Sequence, residues 1–254
     1  MQATVTKRFT KGFQIQGAYT WSHALDNGAD PLDAAAGDRN FPRNSYNLAA
    51  ERGNSDFDLR HRLSINYTWE LPFGHSRAFL AEGVVGRILE GFKLSGITSF
   101  QTGHPYDVWG TRDSQHTGLS DRAKLIGNTG NFADCTVGGS QLYAGIPSST
   151  ITGVSHCAFA NPDYNTASNL GRNPFYGPRY TNFDMALAKK TSITERVKLE
   201  TRFELFNIFN HPQFYKPGNT RATPGTFGVS TSTLTRPDGT TSARQLQVAM
   251  KLTF

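Results

Sequence analysis

The chain has 254 residues, with 26 Lys+Arg against 20 Asp+Glu for a formal net charge of +6, and a mean hydropathy of −0.46. Its length admits one large all-β domain or two smaller ones. No stretch approaches the roughly 18 consecutive apolar residues of a membrane helix, which excludes helical spans. The basic residues are scattered, with no run longer than Lys189-Lys190, and this argues against a nucleic-acid partner.

In chain order, "QATVTKRF" predicts a strand at about 2–9, after an N-terminus that lacks a basic stretch followed by an apolar one. The chain is therefore expected to be either cytosolic or without its N-terminal part. "GFQIQGAYTWS" alternates strictly, with Phe13, Ile15, Gly17, Tyr19 and Trp21 on one face and Gln14, Gln16, Ala18, Thr20 and Ser22 on the other. After a long polar loop, "LRHRLSINYTWEL" repeats the pattern, setting Leu59, Leu63, Ile65, Tyr67, Trp69 and Leu71 against Arg60, Arg62, Ser64, Asn66, Thr68 and Glu70. "FLAEGVVGRILEGF" spaces Leu80, Val84, Ile88 and Phe92 four apart and predicts one short amphipathic helix. Strands follow at 91–103, in "TNFDMALAKK", in "VKLETRFELFNIF" and in "RQLQVAMKLTF", making about seven. Helix competes with strand over 193–209, where Leu199, Phe203 and Phe206 also fit a helical spacing. The last strand places Leu246, Val248, Met250, Leu252 and Phe254 on one face, up to the final residue.

The connections alternate in length. "TKGF" and "SITER" are tight and 72–90 is intermediate, whereas 25–58, 104–176 and 211–241 are long. Long loops at one end and short turns at the other are the habit of transmembrane barrels. By that rule the last strand runs inward and Phe254 lies at the periplasmic rim. Phe13 to Trp21 spans about 26 Å at roughly 3.3 Å per residue, or about 20 Å of rise at a tilt near 40°. That nearly crosses an apolar band of about 25 Å. Phe13, Trp69 and Phe92 would border it on the inner side, Tyr19 and Trp21 on the outer, with Tyr67 completing an aromatic girdle.

"KGFQIQGAYTWSHALD", "SDFDLRHRLSINYTWELPFG", "GFKLSGITSFQTGHPY", "GRNPFYGPRYTNFDMALAKK", "FELFNIFNHPQF" and the closing "RQLQVAMKLTF" resemble, in this order, the C-terminal barrel of TonB-dependent outer-membrane receptors of the Oar-like, Acidobacteria type. The resemblance implies an antiparallel, 22-strand barrel in the bacterial outer membrane, of which 1–254 would supply about seven strands, the plug domain and first strands lying elsewhere. It implies contact with outer-membrane lipid, and recognition by the barrel-assembly machinery through Leu246, Val248, Met250, Leu252 and Phe254. TonB would be engaged only through the plug region, and an extracellular saccharide or metal chelate would be the ligand. Tyr176 and Arg179 stand where relatives often carry Arg and Gly, and 104–170 matches no family pattern, so the ligand is left open.

Little else suggests chemistry. Cys135 and Cys157 share the longest loop and are expected to form a disulfide worth roughly 3 kcal/mol; their spacing and the lack of paired His do not support zinc. Asp26, Asp30, Asp33 and Asp38 lack the spacing of a calcium loop and read as a solvated acidic loop. His104, His116, His156 and His211 fall in predicted loops as lone solvated imidazoles. Glu200 and Glu204 alternate with Lys198 and Arg202 as a lumen-facing charge ladder rather than, with Asp184, a glycosidase carboxylate set. No enzyme motif or cofactor loop is found. A secreted β-sandwich that binds saccharide, or an all-β hydrolase, would share the alternation but not the loop asymmetry.

Overall fold

The computed structural model describes residues 1–28, 42–44, 46–74, 79, 82–235 and 242–254. Seven long strands form one sheet: β1 (Gln2–Thr10), β2 (Phe13–Trp21), β3 (His61–Glu70), β4 (Phe92–Gln101), β5 (Tyr180–Ser192), β6 (Lys198–Phe206) and β7 (Gln245–Thr253). Each pairs antiparallel with the next in sequence, so the sheet is a simple meander with β1 and β7 at its edges. The 193–209 segment is a turn followed by a strand. A helix would have scattered Lys198, Glu200, Arg202 and Glu204 around its surface, whereas the strand gathers them on one face.

Register fixes which faces are which. Phe13, Trp69, Leu94, Leu187, Phe203 and Val248 are successive partners across six strands and make one wholly apolar rung. The neighbouring rung, Gln14, Thr68, Ser95, Ala186, Glu204 and Gln247, is mostly polar. The next, Ile15, Tyr67, Gly96, Met185, Leu205 and Leu246, is apolar again apart from the glycine. A slip of one residue anywhere would turn charges onto the apolar face, so the alternation itself specifies the pairing.

The first rung starts at the opening residue of β2 yet crosses β7 at Val248, five residues before its end at Thr253. Five residues of stagger over five strand steps, at about 3.3 Å per residue and 4.8 Å per step, correspond to strands tilted by about 35°, within the range of membrane barrels.

The two ends of the sheet differ. At one, Lys11 and Gly12 make a two-residue turn with φ of 50° and 79°, the both-positive geometry of a type I′ hairpin. The 193–197 turn and the connection carrying a single helix, α1 (Gly83–Leu89), lie at the same end. The expected helix is therefore shorter than its four-apart pattern: Phe92 opens β4 and Leu80 falls outside the described residues. At the other end, the described parts of the 22–60, 102–179 and 207–244 connections gather into a cap. Its core joins Tyr106, Val108, Ala123, Ala158, Phe159 and Phe227, with a second cluster of Cys135, Tyr143 and Val229 beside it. Among the described residues, every buried hydrophobic side chain is in this cap and none is on the seven strands. The region expected to be long loops is thus a packed unit, while among the described residues the sheet's apolar face has no second layer over it.

Candidate functional site

The uncovered face has ordered borders. Toward the tight-turn end Phe13 stands opposite Trp69, and Phe92 opposite Lys189, whose Nζ lies 5.1 Å over its ring. Tyr67 sits one pleat further in, its phenol laid across Gly96, where any Cβ would collide with it. Toward the cap Tyr19 stacks on His61 and shares a 2.7 Å Oη–Nδ1 hydrogen bond with it, next to Trp21. On β7 the apolar set is open to its surroundings, Met250 being 72% and Phe254 93% exposed. The opposite face carries the charge ladder, with Arg202 2.8 Å from Glu204 and Lys190 3.9 Å from Glu200. A groove of about 400 Å³ runs along this polar face, lined by Asn66, Ser95, Asp184, Arg202 and Glu204 among others.

The cap is locked by a buried ionic latch. Asn47 caps a short helical turn, its Oδ1 accepting from the Ala50 N–H at 3.3 Å, and this turn presents Glu51 to the cap interior. Arg122 grips Glu51 with two nitrogens at 2.6 and 3.2 Å and donates its Nε to Asp107 at 2.9 Å. Burial pushes the Asp107 carboxyl above the usual range against the pull of Arg122. Burial likewise opposes the Arg122 charge, but Asp107 and Glu51 outweigh it and raise its pKa. Asp107 also accepts the Asn173 N–H at 2.6 Å, and its carbonyl accepts from Asn219 Nδ2 at 2.7 Å. Through Arg122 to Glu51 and through Asn219, Asp107 thereby links all three long connections. Arg43 stacks 4.5 Å over Trp109 and donates to the Ser120 carbonyl at 2.7 Å; burial first, then the Arg122 charge, lowers its pKa.

A second set of ties lies nearer the sheet. Asn54 and Asn173 exchange amide-to-carbonyl bonds at 2.8 and 2.9 Å. Arg172 pairs with Asp26 and, at 3.6 Å, with Asp56. Fully buried Asp58 accepts the Ala24 N–H at 2.8 Å, while Arg60 Nη2 donates to Tyr176 Oη at 2.7 Å. Tyr176, which departs from the receptor pattern, is therefore part of the seam between cap and sheet, and Arg179 lines an open pocket beside it. Of the acidic loop, Asp26 is committed to Arg172, and Asp30, Asp33 and Asp38 lie outside the described residues.

Cys135 and Cys157 are joined by a disulfide. The reading of His156 as a solvated imidazole is corrected. It is 6% exposed, its ring edge-on to Phe227 at 5.1 Å and its N–H bonded to Tyr143 Oη at 2.9 Å, because the second cap cluster closes over it. Burial, and secondarily Arg221, lowers its pKa. Cys135, Cys157 and His156 come within metal-binding reach of one another, but the disulfide consumes both thiolates. His104, His116 and His211 are exposed, as expected.

On the outer surface of the cap, Tyr46 is fully exposed, and Tyr164 is 63% exposed under Arg112 at 4.4 Å. A polar pocket of about 120 Å³ opens between Arg43, Asn44, Asn47, Gln115, Asp121 and Ser168. Sequence reasoning missed Glu51, Asp107, Arg122 and Asn173. The latch pairs residues 71 and 66 positions apart, and no local pattern marks such partners.

Neither a curated relative nor a solved structure matches the chain. A family model described as an outer membrane beta barrel domain matches residues 1–247. With its tilted meander, its uncovered apolar face and its long loops at one end, the chain belongs to that outer-membrane β-barrel family and resides in the bacterial outer membrane.

Proposed function

We propose that this chain supplies wall and extracellular cap to a TonB-dependent active transporter of about 22 strands that imports an extracellular saccharide or metal chelate. The observation that carries this reading is the division of the molecule. Among the described residues the apolar face of the strands has no second layer over it, while the long connections build a cross-braced cap with exposed aromatics and a polar pocket. In this reading the wall's apolar face meets lipid, the apolar positions of β7 with Phe254 are read by the barrel-assembly machinery, and the polar face lines the lumen. TonB acts through a plug region outside residues 1–254. In this reading the chain performs no catalysis; the Glu51 and Asp107 carboxylates of the latch pair with Arg122, and Glu204 of the ladder pairs with Arg202.

The alternative of a saccharide-binding sandwich requires a second sheet packed on the apolar face. Among the described residues that face has none, and the remaining ladders are two residues long.

The test is uptake by cells bearing the intact receptor, with labelled oligosaccharides and ferric chelates as probes. Accumulation that stops on adding a proton uncoupler, and weakens when Tyr164 is changed to Ala, is the expected result. Uptake indifferent to the uncoupler would make the protein a passive pore, and no uptake of either class would remove the ligand assignment.

A further inference from the structure

Helix α1 is oriented the wrong way round for a helix in water. Over Gly83–Leu89, Val84, Val85 and Ile88 are 74%, 56% and 57% exposed. At 3.6 residues per turn they fill an arc of about 100°. The protein-facing side is instead Gly86, which is buried, with Leu89 partly covered. A surface helix of a soluble domain points its apolar stripe at the core, and this one points it away. Seven residues that include two valines and an isoleucine have little helical stability of their own. The stripe needs an apolar partner.

The position of the helix names that partner. Lys189 lies on the apolar face, paired with Phe92 across β5 and β4, and its Nζ donates to the Ile88 carbonyl at 2.5 Å. The C-terminal end of α1 is thereby held on the outward side of the wall, and the ammonium meets the negative end of the helix dipole. The chain reaches this position through Gly91, which has φ of 79° and no room for a Cβ against the Lys190 carbonyl. Phe13, Trp69 and Phe92 mark the tight-turn border of the apolar face at this height, and Phe79, 60% exposed, precedes the helix. The Ile88 end of the stripe is tied to Lys189 on the wall's apolar face, while the charged flanks Glu82, Arg87 and Glu90 are exposed.

We propose that α1 is an interfacial anchor: Val84, Val85 and Ile88 insert among the phospholipids of the periplasmic leaflet, at the boundary of headgroups and acyl chains. Lys189 fixes its depth, and Arg87 extends to the headgroups. The inference rests on the wall's apolar face meeting lipid, and its test separates the two.

Because both native cysteines are joined in the disulfide, a single introduced thiol can be spin-labelled selectively. The receptor in vesicles of phosphatidylethanolamine and phosphatidylglycerol would carry labels at Val85→Cys, Ile88→Cys or Glu82→Cys, with Met250→Cys and Gln247→Cys reporting the two faces of the wall. Collision rates with oxygen and with a water-soluble nickel chelate are read for each. Val85 and Ile88 should follow Met250, with severalfold lower nickel and higher oxygen collision than Glu82. Nickel access at Val85 and Ile88 equal to that at Glu82, with Met250 still shielded, overturns the anchor and leaves the wall assignment standing. Shielding of Val85 from both reagents overturns it in favour of a protein partner. Nickel access at Met250 equal to that at Gln247 overturns the wall assignment and the anchor with it.

Discussion

Arg122 reaches two carboxylates from two different connections with three of its nitrogens. Removing one member of a buried ion pair costs about 3–5 kcal/mol, because the remaining charge stays buried without a partner. Arg122→Met is therefore expected to destabilise the cap by that order, seen as a lower urea midpoint in the fluorescence of Trp109, whose ring centroid lies 5.8 Å from the Arg122 guanidinium. Glu51→Gln, which keeps the shape and one acceptor, should cost less. His156 makes a prediction in pH. Its folded pKa lies below the unfolded imidazole value of about 6.5, so its contribution is complete above about 6.5 and is lost as pH falls through the folded value. Urea midpoints of the cap measured from pH 7 to pH 5 should drop in the wild type and drop less in His156→Phe. At this scale the sequence is unevenly informative. Two lone cysteines in one loop suffice to name a disulfide, but Glu51, Asp107 and Asn173 look like any loop residues until tertiary packing brings Arg122 to them. The same packing turns His156 from a solvated side chain into a buried one.

The strands were the most readable elements, since a period of two over nine or ten residues with charges on only one face has few other solutions. Even the contested 198–206 segment follows from Lys198, Glu200, Arg202 and Glu204 sharing that period. Ends were less legible: β3 runs His61–Glu70, leaving Leu59 and Leu71 of the expected span outside it. The helix pattern misled at Phe92, where the register of β4 takes over. The faces themselves make the next prediction. Lysine on a lipid face costs about 2–4 kcal/mol near the bilayer midplane and little in a lumen. Val248→Lys should reduce the fraction of protein inserted in the outer membrane severalfold, while its neighbour Gln247→Lys, on the polar face, should leave insertion near wild type. Heat-modifiable gel mobility reads both, and equal effects at the two positions would refute the assignment of faces.

At the scale of the molecule, β1 and β7 are edges without partner strands among the described residues. Lipid cannot satisfy open backbone groups, so within a membrane these edges need strand partners beyond the seven described. The all-β class and the loop asymmetry were legible because both are sums over many residues. The cap's core was not, because Tyr106, Ala158 and Phe227 are brought together from segments up to 121 positions apart. A consequence follows from where that core sits. Soluble chains gain heat capacity on unfolding as buried apolar surface meets water, at about 12–15 cal/mol/K per residue, or roughly 3–4 kcal/mol/K for a chain of this length. Among the described residues only the cap holds buried apolar side chains, and the outward side chains of the sheet stay in contact with detergent when it melts. Scanning calorimetry of the protein in detergent should give a heat-capacity increment well below the soluble scaling. The curvature of stability with temperature would then belong almost wholly to the cap, so cooling should loosen the cap before it disturbs the wall.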